Sequence, residues 1–87
     1  LNRIDRLLEK ARSIKPRLFP TVATISKADG AFMLAFRLWN DVDGSGETVI
    51  QELFESAAAA RAGYAEFLRH YPAGEHEPVL IDMVTRG

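Results

Sequence analysis

The sequence predicts a two-layer α/β (α+β) domain with elements in the order α-β-β-β-α-β, and three observations carry that prediction. Residues 2–15 place apolar side chains at steps of three and four. Residues 31–39, AFMLAFRLW, alternate two faces directly after an Asp29-Gly30 turn signal. Residues 56–70 return to a helical period between Ser56 and Pro72.

The first helix is read from Ile4, Leu7, Leu8, Ala11 and Ile14, which form one apolar stripe. Asn2 can accept a hydrogen bond from the exposed first-turn amides, with Asp5 placed three residues later as in a short capping box. Arg3, Arg6 and Lys10 line a polar flank. Pro16 stops the helix and pushes Lys15 toward extended backbone.

Residues 18–27, LFPTVATISK, read as the first strand because Val22, Ile25 and the threonines favour a pleated backbone. Pro20 has no N–H for a ladder, so it predicts an edge position or a strand that starts after it. In residues 31–39, Phe32, Leu34, Phe36 and Leu38 share one face, and Met33, Ala35, Arg37 and Trp39 share the other. Apolarity on both faces marks a central strand. Helix is the competing reading there, since Leu, Ala, Met and Arg are also helix formers.

NDVDGSG, residues 40–46, is a loop by composition. Residues 47–54 give the third strand, with Thr48, Ile50 and Phe54 on one side and Val49 and Leu53 on the other. Ser56 caps a second helix that runs to His70 and packs through Ala57, Ala60, Tyr64, Phe67, Leu68 and Tyr71. Gly63 costs up to about 1 kcal/mol inside a helix, which a close approach to the sheet would explain. Glu66 and His70 are spaced for contact one turn apart. Pro72 ends the helix, residues 72–78 form a surface loop, and residues 79–84, VLIDMV, form the last strand.

Two hairpins make a three-stranded antiparallel meander, and the second helix is a crossover. A right-handed crossover lets the last strand lie parallel beside the first, in spatial order 3-2-1-4 with the helix packed on one face of a mainly antiparallel four-stranded sheet. The alternative puts it beside the third strand.

The chain has 87 residues, 47% hydrophobic and 26% charged, which fits a single domain, 1–87, made of the helix 2–15 and a sheet-helix core 18–84. Chains this small bury a modest share of their surface, so a tight unit or an oligomer is expected. There is no cysteine, which excludes disulfides, thiolate metal sites and cysteine catalysis and predicts a cytoplasmic location. No apolar run approaches the roughly 18 residues of a spanning helix, and LNRIDRLLEKARS, broken by Asp5 and Glu9, does not read as a signal peptide. A membrane partner is therefore not expected.

The net charge of -1 conceals an asymmetry. Residues 1–40 hold eight Lys/Arg against three Asp/Glu, and residues 41–87 hold three against nine. The basic set is Arg3, Arg6, Lys10, Arg12, Lys15 and Arg17, with Lys27 and Arg37 further on. Gathered on one face it would attract phosphates, so weak nucleic-acid binding through the basic half is one alternative function. Asp5 and Glu9 interrupt it, and no helix-turn-helix spacing is present.

The most specific motif is DVDGSGETVIQE, Asp41 to Glu52, which resembles an EF-hand calcium loop. Asp41, Asp43 and Ser45 fall at its first, third and fifth positions, Gly46 at the turn, and Glu52 at the closing bidentate position. The resemblance implies a calcium-binding module through residues 41–52, the other alternative function. Four details depart from it. Asn40 shifts the incoming apolar register, Thr48 stands where an apolar residue pairs two loops, Val49-Ile50 suits a strand, and no second loop exists. The reading adopted is a Gly-rich hairpin connection whose Asp and Ser side chains bond their own backbone.

The remaining chemistry is sparse. Gly44-Ser45-Gly46 is followed by ETVI rather than a helix start or lysine, so no phosphate cradle is expected. His76 lies between Glu75 and Glu77, and with Asp82 these offer a minor divalent-metal reading. No Ser-His-Asp arrangement can be argued, and Glu52, Glu55 and Glu66 show no sign of convergence. No catalytic, cofactor-binding or metal residues are assigned.

Trp39 at a strand end, Asp43-Gly44-Ser45-Gly46 in the turn, Tyr64 in the helix and Tyr71-Pro72 at its end resemble small uncharacterised bacterial proteins of the α/β type across residues 19–84. That resemblance implies no activity, substrate or cofactor. The expected role is a non-enzymatic structural or protein-interaction module. A homodimer or a partner-bound form is expected because the sheet has two apolar faces and a crossover helix covers one; the alternative is a monomer completed by the N-terminal helix folding back on the other.

Overall fold

The computed structural model describes residues 2–14, 17–39, 47–72 and 77–84. The first helix, α1 (Arg3–Arg12), begins where Asn2 Oδ1 accepts the Asp5 N–H at 2.8 Å. It ends before residue 15 for a local reason. The Ser13 hydroxyl donates to the Lys10 carbonyl at 2.8 Å, and the Ile14 N–H turns to Ala11 O at 3.3 Å. The side chain takes the acceptor that one more helical turn would have needed.

Strands β1 (Phe19–Ala28), β2 (Ala31–Trp39) and β3 (Thr48–Phe54) form the antiparallel meander. Asp29 and Gly30 both take positive φ, 49° and 79°, in the two-residue turn between β1 and β2. Helix α2 (Ala57–His70) starts at Ser56, whose Oγ accepts the Ala59 N–H at 3.0 Å. It leads to β4 (Val79–Asp82). The sheet order is β3-β2-β1-β4, with β4 parallel to β1, as the right-handed crossover predicts. β4 is two residues shorter than its apolar run, because Asp82 Oδ1 accepts the Val84 N–H at 3.0 Å and closes a turn.

Pro20 departs from expectation. It sits fully buried inside β1, a central strand, opposite Leu38. Two features accommodate it. A bulge shifts the register between Pro20 and Val22, and pairing with β4 starts only at Val22. At Pro20 the strand therefore has a sheet neighbour on one side, and the missing N–H costs little.

The core lies between the sheet and the helices, around Leu7, Ile25, Leu34, Phe36, Leu38 and Phe67, each fully buried. Phe36 and Phe67 stack with centroids 4.2 Å apart, which fastens α2 to β2. Tyr71 donates its hydroxyl to Leu18 O at 2.5 Å, so a buried ring keeps its polar end satisfied. Both helices occupy the same side of the sheet, one more than the single covering helix expected. The α1 stripe joins the common core through Leu7, Leu8 and Ala11, and Arg6 and Lys10 reach Glu52 of β3. The opposite face is left without a covering element among the described residues.

Candidate functional site

Strand alternation decides what the bare face displays. Leu34, Phe36, Leu38, Ile50 and Phe54 point to the helices, so the residues between them point away. β2 contributes Met33, Ala35, Arg37 and Trp39, and β3 contributes Val49, Gln51 and Leu53. By register, Val22 and Thr24 of β1 and Val79 and Ile81 of β4 join them. Five of these are large apolar side chains at least one-third exposed: Val79 60%, Val49 52%, Leu53 50%, Ile81 46% and Trp39 36%. Scattered exposed apolar residues are ordinary; a patch spanning every strand of a sheet is the pattern of an interaction surface.

The face carries little charge. Arg37 Nε and Glu47 pair at 2.7 Å within the patch, and Arg3 and Arg6 of α1 border it at β3, beside Met33, Gln51 and Leu53. At its middle is a shallow cavity of about 220 Å³ lined by Val22, Thr24, Ala35, Arg37, Val49 and Ile81.

The sheet edges behave differently. Lys10 Nζ donates to the outward carbonyl of Gln51 at 3.0 Å while holding Glu52 Oε2 at 2.9 Å. A charged side chain thus occupies the β3 edge, a device that discourages a further strand from pairing there. The β4 edge is only four residues long.

The EF-hand-like positions are not brought together as a described site. Asp41, Asp43, Ser45 and Gly46 lie outside the described residues. Glu52 lies within β3 on the helix side, its side chain 14% exposed, bonded to Arg6 at 3.2 Å and to Lys10 at 2.9 Å. Burial works to raise its pKa, but the hydrogen bonds and charges of Arg6 and Lys10 outweigh that and hold the carboxyl below its ordinary value. Glu75 and His76 also lie outside the described residues, and Asp82 is engaged by Arg61 of α2. No group of three or more metal-ligating side chains occurs among the described residues.

Most of the basic set is dispersed in internal contacts, and Lys15 lies outside the described residues. Arg3 pairs with Glu55 at 3.0 Å, Arg12 donates to the His70 carbonyl at 3.1 Å, and Arg17 lies over the rings of Tyr71 and Phe19. Arg12, Arg17, His70 and Tyr71 line a cleft of about 520 Å³ between the C-terminal ends of the helices. His70 Nε2 lies 3.0 Å from Glu66 Oε2, as the spacing predicts. Arg69 and then His70 hold the Glu66 carboxyl below its ordinary pKa, while Tyr64 is pushed up by burial and by Glu77.

Sequence reasoning identified the two-faced β2 and β3 but not the share of β1 and β4 in the patch. The signal was present: Val79 and Ile81 alternate with Leu80 and Asp82. Their common face follows only from the pairing Val22↔Val79 and Thr24↔Ile81. The Lys10–Gln51 bond had no sequence signal, because its acceptor is a backbone carbonyl 41 residues away. No helix among the described residues is long and apolar enough to cross a membrane. No family model, curated protein or solved structure matches the chain, so the fold and the bare sheet face are what describe it.

Proposed function

We propose that this chain is a non-enzymatic protein-interaction module that self-associates through the bare face of its sheet. One observation carries the reading: all four strands turn apolar side chains to a face that neither helix covers. Each large side chain left in water forgoes roughly 1.5–3 kcal/mol of burial, a cost that a second layer removes. The guarded β3 edge and the short β4 edge favour face-to-face association over sheet extension. The absence of cysteine suits a reducing compartment, so we place the module in the cytoplasm.

The nucleic-acid alternative is disfavoured because Arg3, Arg6, Lys10, Arg12 and Arg37 are engaged within the chain. Sedimentation equilibrium tests the preferred reading. The wild type is expected to show a monomer–dimer equilibrium, and Val49→Lys with Leu53→Lys to leave a folded monomer. A wild type that stays monomeric at every concentration rejects it.

A further inference from the structure

We propose that the second copy docks by a reciprocal anchor, with Trp39 of each copy seated in the cavity over Ala35 and Thr24 of the other. The proposal rests on the self-association reading and names its contact.

The cavity follows from side-chain height. Thr24 and Ala35 are cross-strand partners at the middle of the face, and Ala35 ends at its methyl group. Val22, Arg37, Val49 and Ile81 surround that methyl and leave a depression of about 220 Å³. Small-molecule sites run from roughly 300 Å³ upward, so this depression is undersized for a metabolite. It suits a single large side chain, and its mostly apolar walls select an apolar one.

The matching side chain is on the same face. Trp39 is the chain's one tryptophan, and it stands at the end of β2 with 36% of its surface exposed. Buried aromatic anchors in central pockets are the usual hot spots of interfaces, and tryptophan leads them. From Ala35 to Trp39 is four residues, about 13 Å of strand. A twofold axis lying in the interface above Arg37, across the strands, lays β2 antiparallel over its copy. Each Trp39 then falls over the other copy's Ala35. Because anchor and socket belong to one patch, the contact is self-complementary and closes at two copies.

Charge permits that occupant, and area sets how tightly it binds. The axis sets the two Arg37 side chains against each other, and each is offset by its own Glu47 at 2.7 Å, so the faces meet with no net charge. Four strands about 4.8 Å apart, of ten, nine, seven and four residues rising about 3.3 Å each, give a plan area on the order of 500 Å² per copy. Two copies bury on the order of 1,000 Å², just below the ~1,200–2,000 Å² of stable complexes, so the dimer is weak.

Sedimentation equilibrium and Trp39 emission, followed together from about 1 µM to several hundred µM, test this. A shared midpoint is expected, with emission moving to shorter wavelength as the mass doubles. Trp39→Ala is expected to weaken the dimer at least tenfold. Ala35→Leu discriminates further, because it makes the face more apolar yet fills the socket. A reciprocal anchor predicts at least a tenfold weakening, whereas a merely greasy face predicts equal or tighter association. Circular dichroism confirms that both variants fold. A wild-type dimer with concentration-independent emission and undiminished Ala35→Leu association overturns the anchor and leaves self-association standing. A wild-type monomer throughout overturns both, and binding of an amphipathic helix from another protein then becomes the occupant to seek.

Discussion

The ring of Phe54 lies where a side chain on residue 63 would start: a Cβ on Gly63 would sit 2.8 Å from Phe54 Cζ and 3.2 Å from Ile4 Cδ1. Helix α2 therefore approaches β3 and α1 at a contact that only a hydrogen-sized side chain permits. Gly63→Ala gains up to about 1 kcal/mol of helix propensity but overpacks the core, at roughly 1–3 kcal/mol. The net expectation is destabilisation by about 1 kcal/mol in urea unfolding. Adding Phe54→Leu should make Gly63→Ala less costly than in the wild-type background. If the alanine is stabilising by itself, the contact is softer than its geometry implies.

Glu52 joins α1 to β3 through Arg6 and Lys10, and its folded-state pKa lies below the ordinary 4.5. A depressed pKa means that the contribution is fully present above pH 4.5 and is lost as pH falls through the folded value. Glu52→Gln should cost about 1 kcal/mol at pH 7. The gap between variant and wild type should close as the solution is acidified below pH 4.5. Urea midpoints at a series of pH values check this, and a gap that persists unchanged into strong acid refutes the ion-pair account.

Much of the fold was legible because its signals are local. Asn2 and Ser56 mark both helix starts, Asp29-Gly30 marks the first hairpin, and the alternation in 31–39 matches β2 residue for residue. Chain direction and crossover handedness then left two positions for β4, and the favoured one is observed. What escaped was set by tertiary geometry. The side of the sheet that α1 covers depends on Arg6 and Lys10 meeting Glu52, more than 40 residues away. Pro20 read as an edge residue, and composition cannot show that it sits inside a central strand whose second neighbour, β4, begins pairing only at Val22. The candidate face was half visible, in the double apolarity of β2 and β3. Its socket was not, because depth arises from the relative heights of side chains on all four strands.

Tyr71 is 2% exposed and its hydroxyl satisfies Leu18 O, the carbonyl just before β1. Tyr71→Phe keeps the ring against Phe67 but leaves that carbonyl without this donor. The expected loss is about 1–2 kcal/mol, or a fall in Tm of several degrees for a domain of this size. Thermal melting followed by circular dichroism measures it. An unchanged Tm would mean that solvent replaces the hydroxyl and the segment before β1 is more open than described.

Calcium is expected not to bind in the micromolar range. An EF-hand closes its loop with a bidentate glutamate that is free to turn onto the ion. Here that residue is Glu52, fixed in a strand and bonded to two cations. Turning it onto calcium would break both contacts and leave Arg6 and Lys10 without their shared carboxylate. The strand Thr48–Phe54 also replaces the helix that follows such a loop. Calorimetric titration of the chain with calcium should give only heats of dilution, and Glu52→Gln should give the same trace. A saturable one-site isotherm abolished by Asp41→Ala would make calcium binding the correct reading of this segment and would require Glu52 to exchange its partners on binding.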